Sequence, residues 1–347
     1  MERDDHTVPT KGYGADDKHY SDFVSALPSQ VGKVCVITGT TSGTGYYWSL
    51  AAAKKGATVV MLNRASNRAT SSAADLRAEC PEGTFDDSIE CDLMSFASVR
   101  TAAAAIVEKY GVSGVNVLCC NAGIMAFADE ATTDGFDVQM QTNHLSHFLL
   151  VSLLMPLLDT AAEKCGEARI VNHSSIARQG VKLEAKYMER NGGNLGGDSS
   201  SMFLGGARWV RYSHTKMANC VFTHALKKRL DAKGSKVRAL TAAPGLATTN
   251  LQVTTLGKGG MSDSSCCCGG NFWIMKMAQS SGDGAMGIIH SAFNADAKSG
   301  EFWEPPGTGL AGVPALRAPV LKLESNEEIG DMLWKCSLEA TGVSNFL

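Results

Sequence analysis

Short apolar runs and longer amphipathic stretches take turns along this chain, and the residues between them set out its elements. Val34 to Thr38 is apolar and rich in β-branched residues, the length of one buried strand and too short for a helix. Tyr46 to Lys55 then runs on without Gly or Pro and reads as a helix. The alternation repeats. Thr58 to Leu62, Ser88 to Cys91, Val115 to Cys120, Arg169 to His173 and Lys236 to Ala242 read as strands, while Phe96 to Tyr110, Thr132 to Leu158 and Tyr212 to Leu230 carry helical spacing. Six strands alternating with helices predict an α/β fold with a doubly wound parallel sheet, each helix returning the chain by a right-handed crossover. One domain over residues 31–300 fits this pattern. Residues 1–30 read as a flexible arm, 180–211 as an insertion too long for a routine connection, 246–283 as a substrate lid, and 301–347 as a C-terminal extension with a helix from Asn326 to Thr341.

The residues at the strand ends carry the chemistry. Gly39, Thr41, Ser42, Gly43, Thr44 and Gly45 lie where the first strand turns into a helix. Glycines there permit a tight turn and close approach of a pyrophosphate, whose charge is met by exposed amides and the positive end of the helix dipole. Such glycine spacing also suits an ordinary turn; the strand-to-helix context favours a dinucleotide. Asn63 and Arg64 end the second strand, where an acidic residue would accept from a ribose 2′-hydroxyl and a cation would favour a 2′-phosphate. NADP(H) is therefore expected over NAD(H). Asn121-Ala122-Gly123 ends the fourth strand with small residues that let a cofactor approach, and Asn143 is a polar group inside a helix that must find a partner. Tyr212 and Lys216 stand four apart on one helix face. A neighbouring ammonium favours phenolate, so this spacing predicts a tyrosine pKa drawn toward neutrality. Such a tyrosine could protonate a carbonyl oxygen as hydride arrives, with Ser175 hydrogen-bonded to the same oxygen.

Composition narrows the partners. A formal net charge of −3, without a Lys/Arg run or aromatic platform, gives no pull toward nucleic acid. Apolar residues make up 44% of the chain and charged ones 19%, the mix of an ordinary globular core. Of the eleven cysteines, Cys35, Cys91, Cys119 and Cys120 fall inside predicted strands and read as reduced core residues of an intracellular, most simply cytoplasmic, protein. Cys266, Cys267 and Cys268 are adjacent but lack ligand spacing, so no metal site is predicted; lipidation and a glycine-flanked loop remain as readings. His144 and His147 likewise read as packing residues. The first thirty residues hold no signal-peptide core, and no run of 18 apolar residues occurs. A membrane span is not expected, while contact with a bilayer surface stays open.

Thr38-Gly39-x-x-x-Gly43-x-Gly45, Asp92, Asn121-Ala122-Gly123, Asn143, Ser175, Tyr212-x-x-x-Lys216 and Pro244-Gly245 together resemble the short-chain dehydrogenase/reductase family over roughly Gly32 to Gly245. The stretches Asn143 to Leu150 and Tyr212 to Asn219 are most similar to its retinol-dehydrogenase and protochlorophyllide-reductase branch. The resemblance implies a Rossmann fold and a set of roles. Tyr212 would be the general acid/base, Lys216 would bind the nicotinamide ribose and tune that tyrosine, Ser175 would polarise the carbonyl, and Asn143 would hold a proton-relay water. Asp92, with Leu93 beside it, would contact adenine, Asn121 to Gly123 would line the adenosine side, and Thr249, after Pro244-Gly245, would meet the nicotinamide carboxamide. Homodimers and homotetramers are common in families of this kind. Two features depart from the pattern: the long Ser175 to Tyr212 interval, and the bulky Tyr46-Tyr47-Trp48 opening of the first helix.

Phe272, Trp273, Ile274, Met275 and Met277 in the predicted lid favour a large apolar substrate such as a retinoid, steroid, isoprenoid or pigment-like carbonyl, although core packing explains the same residues. Three readings follow: an NADP(H)-dependent oxidoreductase interconverting a carbonyl and an alcohol, a light-driven reductase of a pigment double bond, and an NADPH-binding scaffold without turnover. The complete Asn, Ser, Tyr and Lys set favours an enzyme.

Overall fold

Every residue of Val34–Thr38 (β1) is buried, and the sheet is built outward from it. The computed structural model describes residues 16–201, 205–249, 251, 255, 278–318 and 321–347. Within them, after a short α1 (Tyr20–Ser25), the order is β1, α2 (Gly43–Lys54), β2 (Thr58–Leu62), α3 (Asn67–Glu79), β3 (Thr84–Asp86), α4 (Phe96–Tyr110) and β4 (Val117–Cys120). Then come α5 (Val138–Met140), a π turn (Gln141–Leu145), α6 (Ser146–Cys165), β5 (Ala168–His173), α7 (Ala207–Ala232) and β6 (Val237–Ala242). The chain ends with α8 (Ser281–Phe293), β7 (Phe302–Glu304), β8 (Ala315–Leu316) and α9 (Glu327–Thr341). The strands form one sheet in the order β3-β2-β1-β4-β5-β6-β7-β8, parallel except for the last pair. The order reverses between β1 and β4, which opens a crevice at their C-terminal ends where doubly wound sheets bind ligands.

Alternation along the strands divides the core between two faces. Val34 and Val36 of β1 join Phe148, Leu150, Phe222 and Trp334 on the side of α4, α6, α7 and α9. Cys35 and Ile37 point the other way, toward Trp48, Ile289 and Phe293 of α2 and α8. The described cysteines are free, and Cys35, Cys91, Cys119 and Cys120 are buried. The helical stretch Val138–Cys165 is long and apolar enough to cross a membrane by length and composition, yet 72% of its apolar window is buried as a core helix.

Several expectations need correction. The third strand is Thr84–Asp86, not Ser88 to Cys91. Asp86 Oδ1 accepts hydrogen bonds from the Ser88 amide (3.1 Å) and hydroxyl (2.6 Å) and turns the chain, so that only a single bridge, Asn63 to Glu90, pairs beyond it. Ile89, Cys91 and Leu93 alternate because they are buried in the core. The long helix begins at Val138 and not at Thr132, because Ala131 and Asp137 close a turn and the Asp137 carboxylate caps the amides of Gln139 and Met140. Two strands lie beyond the six expected: β7 and β8 extend the sheet from within the segment read as a C-terminal extension.

Residues 16–30, read as part of a flexible arm, are docked. Asp283 of α8 accepts hydrogen bonds from the amides of Lys18, His19 and Tyr20 at 2.9–3.0 Å, capping α1 from across the fold. This docking accounts for the bulky start of α2. Tyr47 meets Tyr20 edge-on at 4.9 Å, Tyr46 donates to Glu79 of α3 at 2.5 Å, and Trp48 packs on Phe293 at 5.2 Å. Much of the insertion is also held, since α7 already begins at Ala207. The carboxylate of Asp129 accepts the amides of Gly193, Leu195 and Gly197, and buried Arg211 donates to the carbonyls of Leu195, Gly197 and Phe127. The glycine-rich segment is thus a loop wrapped around one carboxylate. Of the predicted lid, Ala247 bridges Gln279 at its base and Ser281 to Asp283 already belong to α8. Cys266 to Cys268, and the aromatic and methionine cluster from Phe272 to Met277, lie outside the described residues.

Candidate active site

The glycine loop is shaped by contacts that only glycine permits. Gly39 and Gly43 have φ of +75° and +61°, and a Cβ on Gly39 would stand 2.8 Å from that of Ala122. Gly45 sits directly under the Gly39 carbonyl, and a Cβ there would also come within 2.6 Å of Asn121 Nδ2. Ser42, the N-cap of α2, makes no side-chain cap hydrogen bond; its hydroxyl instead accepts from Arg68 at 3.2 Å. The first-turn amides of α2 therefore have no side-chain cap and face the crevice with the positive end of the helix dipole. A Cβ on Gly43 would lie 3.2 Å from Thr249, which places that threonine over the loop.

Ser175 and Tyr212, 37 positions apart, meet at the C-terminal end of β5. The Ser175 side chain lies close enough to the Tyr212 hydroxyl to favour the phenolate, so the long insertion does loop out. Lys216 lies one helical turn on, its Nζ 5.7 Å from the Tyr212 ring centroid and 3.2 Å from the His173 carbonyl, to which it donates. The expected lowering of the Tyr212 pKa is not found. Burial pushes Tyr212 up to about 12, opposed by the Ser175 hydrogen bond, and burial pulls Lys216 down to about 8. In a site this dry, desolvation outweighs any help from a partly neutral ammonium.

Asn143 sits in the π turn. Its Nδ2 donates to the Ile124 carbonyl and the Thr215 hydroxyl, both at 2.9 Å, while Oδ1 accepts the Ile124 amide at 2.8 Å. Both amide hydrogens are committed, which leaves one Oδ1 lone pair. A Cβ on Gly123 would stand 3.2 Å from that oxygen and 3.4 Å from Lys216 Nζ, so a larger residue there would press on both groups. Asn121 faces inward. Its Nδ2 donates to the Thr38 and Gly39 carbonyls, and its Oδ1 accepts from Thr44 and His173. It fastens the glycine loop to β4 and β5.

Asn63 also faces the protein, gripping the amide and hydroxyl of Thr40 at 2.9 and 2.7 Å. Arg64 is exposed at the strand tip. Arg68, the second residue of α3 and beside Ser42, is a loop-facing cation that the charge at the strand tip alone does not reveal. Asp92 accepts the Met94 amide at 2.9 Å, and Leu93 is buried beneath it. Gly245 has φ +65° and turns against the Leu310 carbonyl, and Gln279 donates to the Pro244 carbonyl at 2.6 Å.

Two buried histidines brace this site, His147 against Thr38 and Asn143 and His173 against Asn121. The Thr38 hydroxyl already accepts the amides of Asn121 and Ala122, so it donates to His147 Nε2 at 2.9 Å. The His147 proton is then on Nδ1, which donates to the Asn143 carbonyl at 3.0 Å. Burial lowers His147 to about 4, and His144 and His173 to about 3, from an ordinary 6.5. The unfolded chain therefore binds more protons than the fold once the pH drops below 6.5, and stability falls with pH from there. At pH 5 each imidazole should cost roughly 2 kcal/mol. Denaturation midpoints measured at pH 7.5 and 5.0 should differ steeply; equal midpoints would show that the rings are not held neutral.

The model of the short chain dehydrogenase family matches residues 33–188. An uncharacterized oxidoreductase of Schizosaccharomyces pombe is 34% identical over 227 residues, which is 65% of this chain and 63% of that protein, somewhat under two thirds of its length. Human retinol dehydrogenase 13 is 29% identical over 330 residues, 93% of this chain and 90% of that one. The crystal structure of an uncharacterized protein from Mycobacterium paratuberculosis superposes with a TM-score of 0.69 at 30% identity, over 92% of this chain and 97% of that one. With this sheet order and a joined Ser175, Tyr212 and Lys216, the chain belongs to the short-chain dehydrogenase/reductase family of oxidoreductases.

Proposed function

We propose that the chain is an NADP(H)-dependent oxidoreductase that interconverts a carbonyl and an alcohol on an apolar substrate. The observation that carries this reading is the grouping of Ser175, Tyr212 and Lys216 at the mouth of the crevice that the glycine loop lines. The loop fits a dinucleotide: its glycines leave the amides bare, and α2 has no side-chain cap to compete for them. When bound, the dinucleotide supplies the hydride.

The chain's own residues handle the oxygen. The Tyr212 phenol, protonated throughout the physiological range, donates to the substrate oxygen and gives up its proton as charge develops there. Ser175 donates to the same oxygen and orients it. Lys216, poised near pH 8, binds ribose hydroxyls and returns a proton to the tyrosine side. Asn143 fixes the Ile124 backbone, and its remaining Oδ1 lone pair is where a relay water would donate. Around the phenol, Met125, Ala126 and Trp209 are buried, with Ala177 and Leu251 packed against them. That apolar wall suits an apolar carbonyl, in keeping with the similarity to a protein named as a retinol dehydrogenase. An NADPH-oxidation screen over apolar aldehydes, ketones, quinones and tetrapyrroles, in light and in darkness, tests the reading. Turnover of an apolar carbonyl in the dark is expected. Conversion of only a pigment, and only in light, would replace it with the double-bond reductase, and NADPH binding without any turnover would make the chain a scaffold.

The preference for a 2′-phosphate rests on Arg64 and Arg68, which flank the loop. A charge-assisted hydrogen bond contributes about 1.5–3 kcal/mol, so Arg68→Ala or Arg64→Asp should weaken NADPH about 10- to 100-fold more than NADH. An unchanged ratio of the two dissociation constants in both variants would place the phosphate elsewhere.

A further inference from the structure

Three residues past Ser175, Arg178 ends a 3₁₀ turn (Ile176–Arg178), and no step above uses it. Its side chain is completely buried. Nη1 donates to the Ser175 carbonyl at 3.0 Å, and the Arg178 main-chain amide donates to that same carbonyl at 3.2 Å. Nε donates to Glu324 Oε1 at 2.6 Å, Nη1 lies 3.3 Å from Glu304 Oε2, and the guanidinium covers the Phe302 ring at 4.0 Å. Both carboxylates are themselves buried, and Glu304 is shared with Arg317. They stand 146 and 126 positions away in sequence, in the C-terminal part of the chain.

Such a cluster adds little net stability, because desolvating the charges offsets their attraction. It supplies direction. A planar guanidinium held through Nε by Glu324, through Nη1 by Glu304 and on one face by Phe302 has a single orientation, and the same Nη1 fixes the peptide that carries Ser175, while Nη2 makes no hydrogen bond. On the other side Ser175 is constrained by the Ala177 amide, which donates to its hydroxyl oxygen at 3.3 Å and leaves the hydroxyl proton to point outward.

We propose that Arg178 is a positioning residue for carbonyl reduction: through its double hold on the Ser175 carbonyl it aims the Ser175 hydroxyl at the substrate oxygen, and Glu304 and Glu324 hold Arg178 in turn. The C-terminal segment thereby becomes part of the catalytic apparatus without touching substrate. This inference rests on the reading of Ser175 as the residue that polarises the carbonyl.

The test is a double-mutant cycle in the full chain, with the carbonyl best reduced in the screen. Arg178→Lys keeps the charge but loses the fork, and should lower kcat per folded enzyme about tenfold while NADPH affinity, read by fluorescence titration, stays the same. In a Ser175→Ala background the same change should cost nothing further. Glu324→Gln is the milder second variant and should show the same dependence on background. Equal losses in both backgrounds, or a shift in Tm without loss of kcat, would overturn the proposal and leave Arg178 a structural residue. Full turnover by Ser175→Ala alone would overturn it by removing the role of Ser175. Absence of carbonyl turnover in the wild type, despite NADPH binding, would instead reject the enzymatic reading beneath both.

Discussion

Tyr212→Phe should lower kcat by a factor of about 10²–10⁴, the usual contribution of a positioned general acid, while NADPH affinity changes little. The split is expected because the hydroxyl and the ring do different work. The ring packs among Met125, Ala126 and Trp209 and meets Trp209 edge-on at 6.0 Å, contacts that phenylalanine keeps. The hydroxyl lies beside Ser175, and among the described residues it is better placed than Lys216 to hand a proton to a substrate oxygen. Lys216 is 5.7 Å from the ring centroid and bound to the His173 carbonyl, and the nearby histidines are buried and braced as neutral rings. Losing the hydroxyl leaves the Ser175 side chain short of one partner, so the stability cost should be about 1 kcal/mol. Stopped-flow hydride transfer and fluorescence titration would separate the two effects. Undiminished hydride transfer would mean that some other group protonates the substrate oxygen.

The candidate site residues were legible because their signals are local. A glycine loop between strand and helix, and a tyrosine four positions before a lysine, state their geometry in a few consecutive residues. The Ser175 to Tyr212 meeting followed from topology, since both belong at the C-terminal side of β5. What escaped was set by distant partners. β3 has only three residues, mixed in exposure, and its bounds depend on the Asp86 turn rather than on a run of apolar residues. β7 is recruited as a strand by β6. The pKa of Tyr212 was read from one neighbour, whereas burial by Met125, Trp209 and Leu251 governs it. Nothing local in the sequence marks Arg178, because its carboxylate partners lie more than a hundred residues downstream. Asn63 and Asn121, expected at the cofactor, turn their side chains to the loop that would bind it, through bonds to residues the sequence does not point to.

That division of labour predicts the outcome of adding one methyl group at Gly45. In Gly45→Ala the new carbon would overlap the Gly39 carbonyl, which is backbone, and stand 2.6 Å from Asn121 Nδ2, a side-chain amide pinned by its own hydrogen bonds. The backbone of the loop must move, and Asn121, held by Thr38, Gly39, Thr44 and His173, resists that movement. Overpacking of this kind costs about 1–3 kcal/mol in stability. The larger effect should fall on the cofactor, because the displaced segment is the one whose amides would meet a pyrophosphate; a 100-fold loss corresponds to about 2.7 kcal/mol, on the order of two lost charge-assisted hydrogen bonds. Gly330→Ala is the control. It lies within α9, where a Cβ would make ordinary contact with Ala225 at 3.5 Å, and the better helix propensity of alanine should leave stability equal or up to about 1 kcal/mol higher. NADPH titration and thermal melts of both variants decide the matter. If Gly45→Ala binds NADPH as tightly as the parent, the loop is not where the dinucleotide sits.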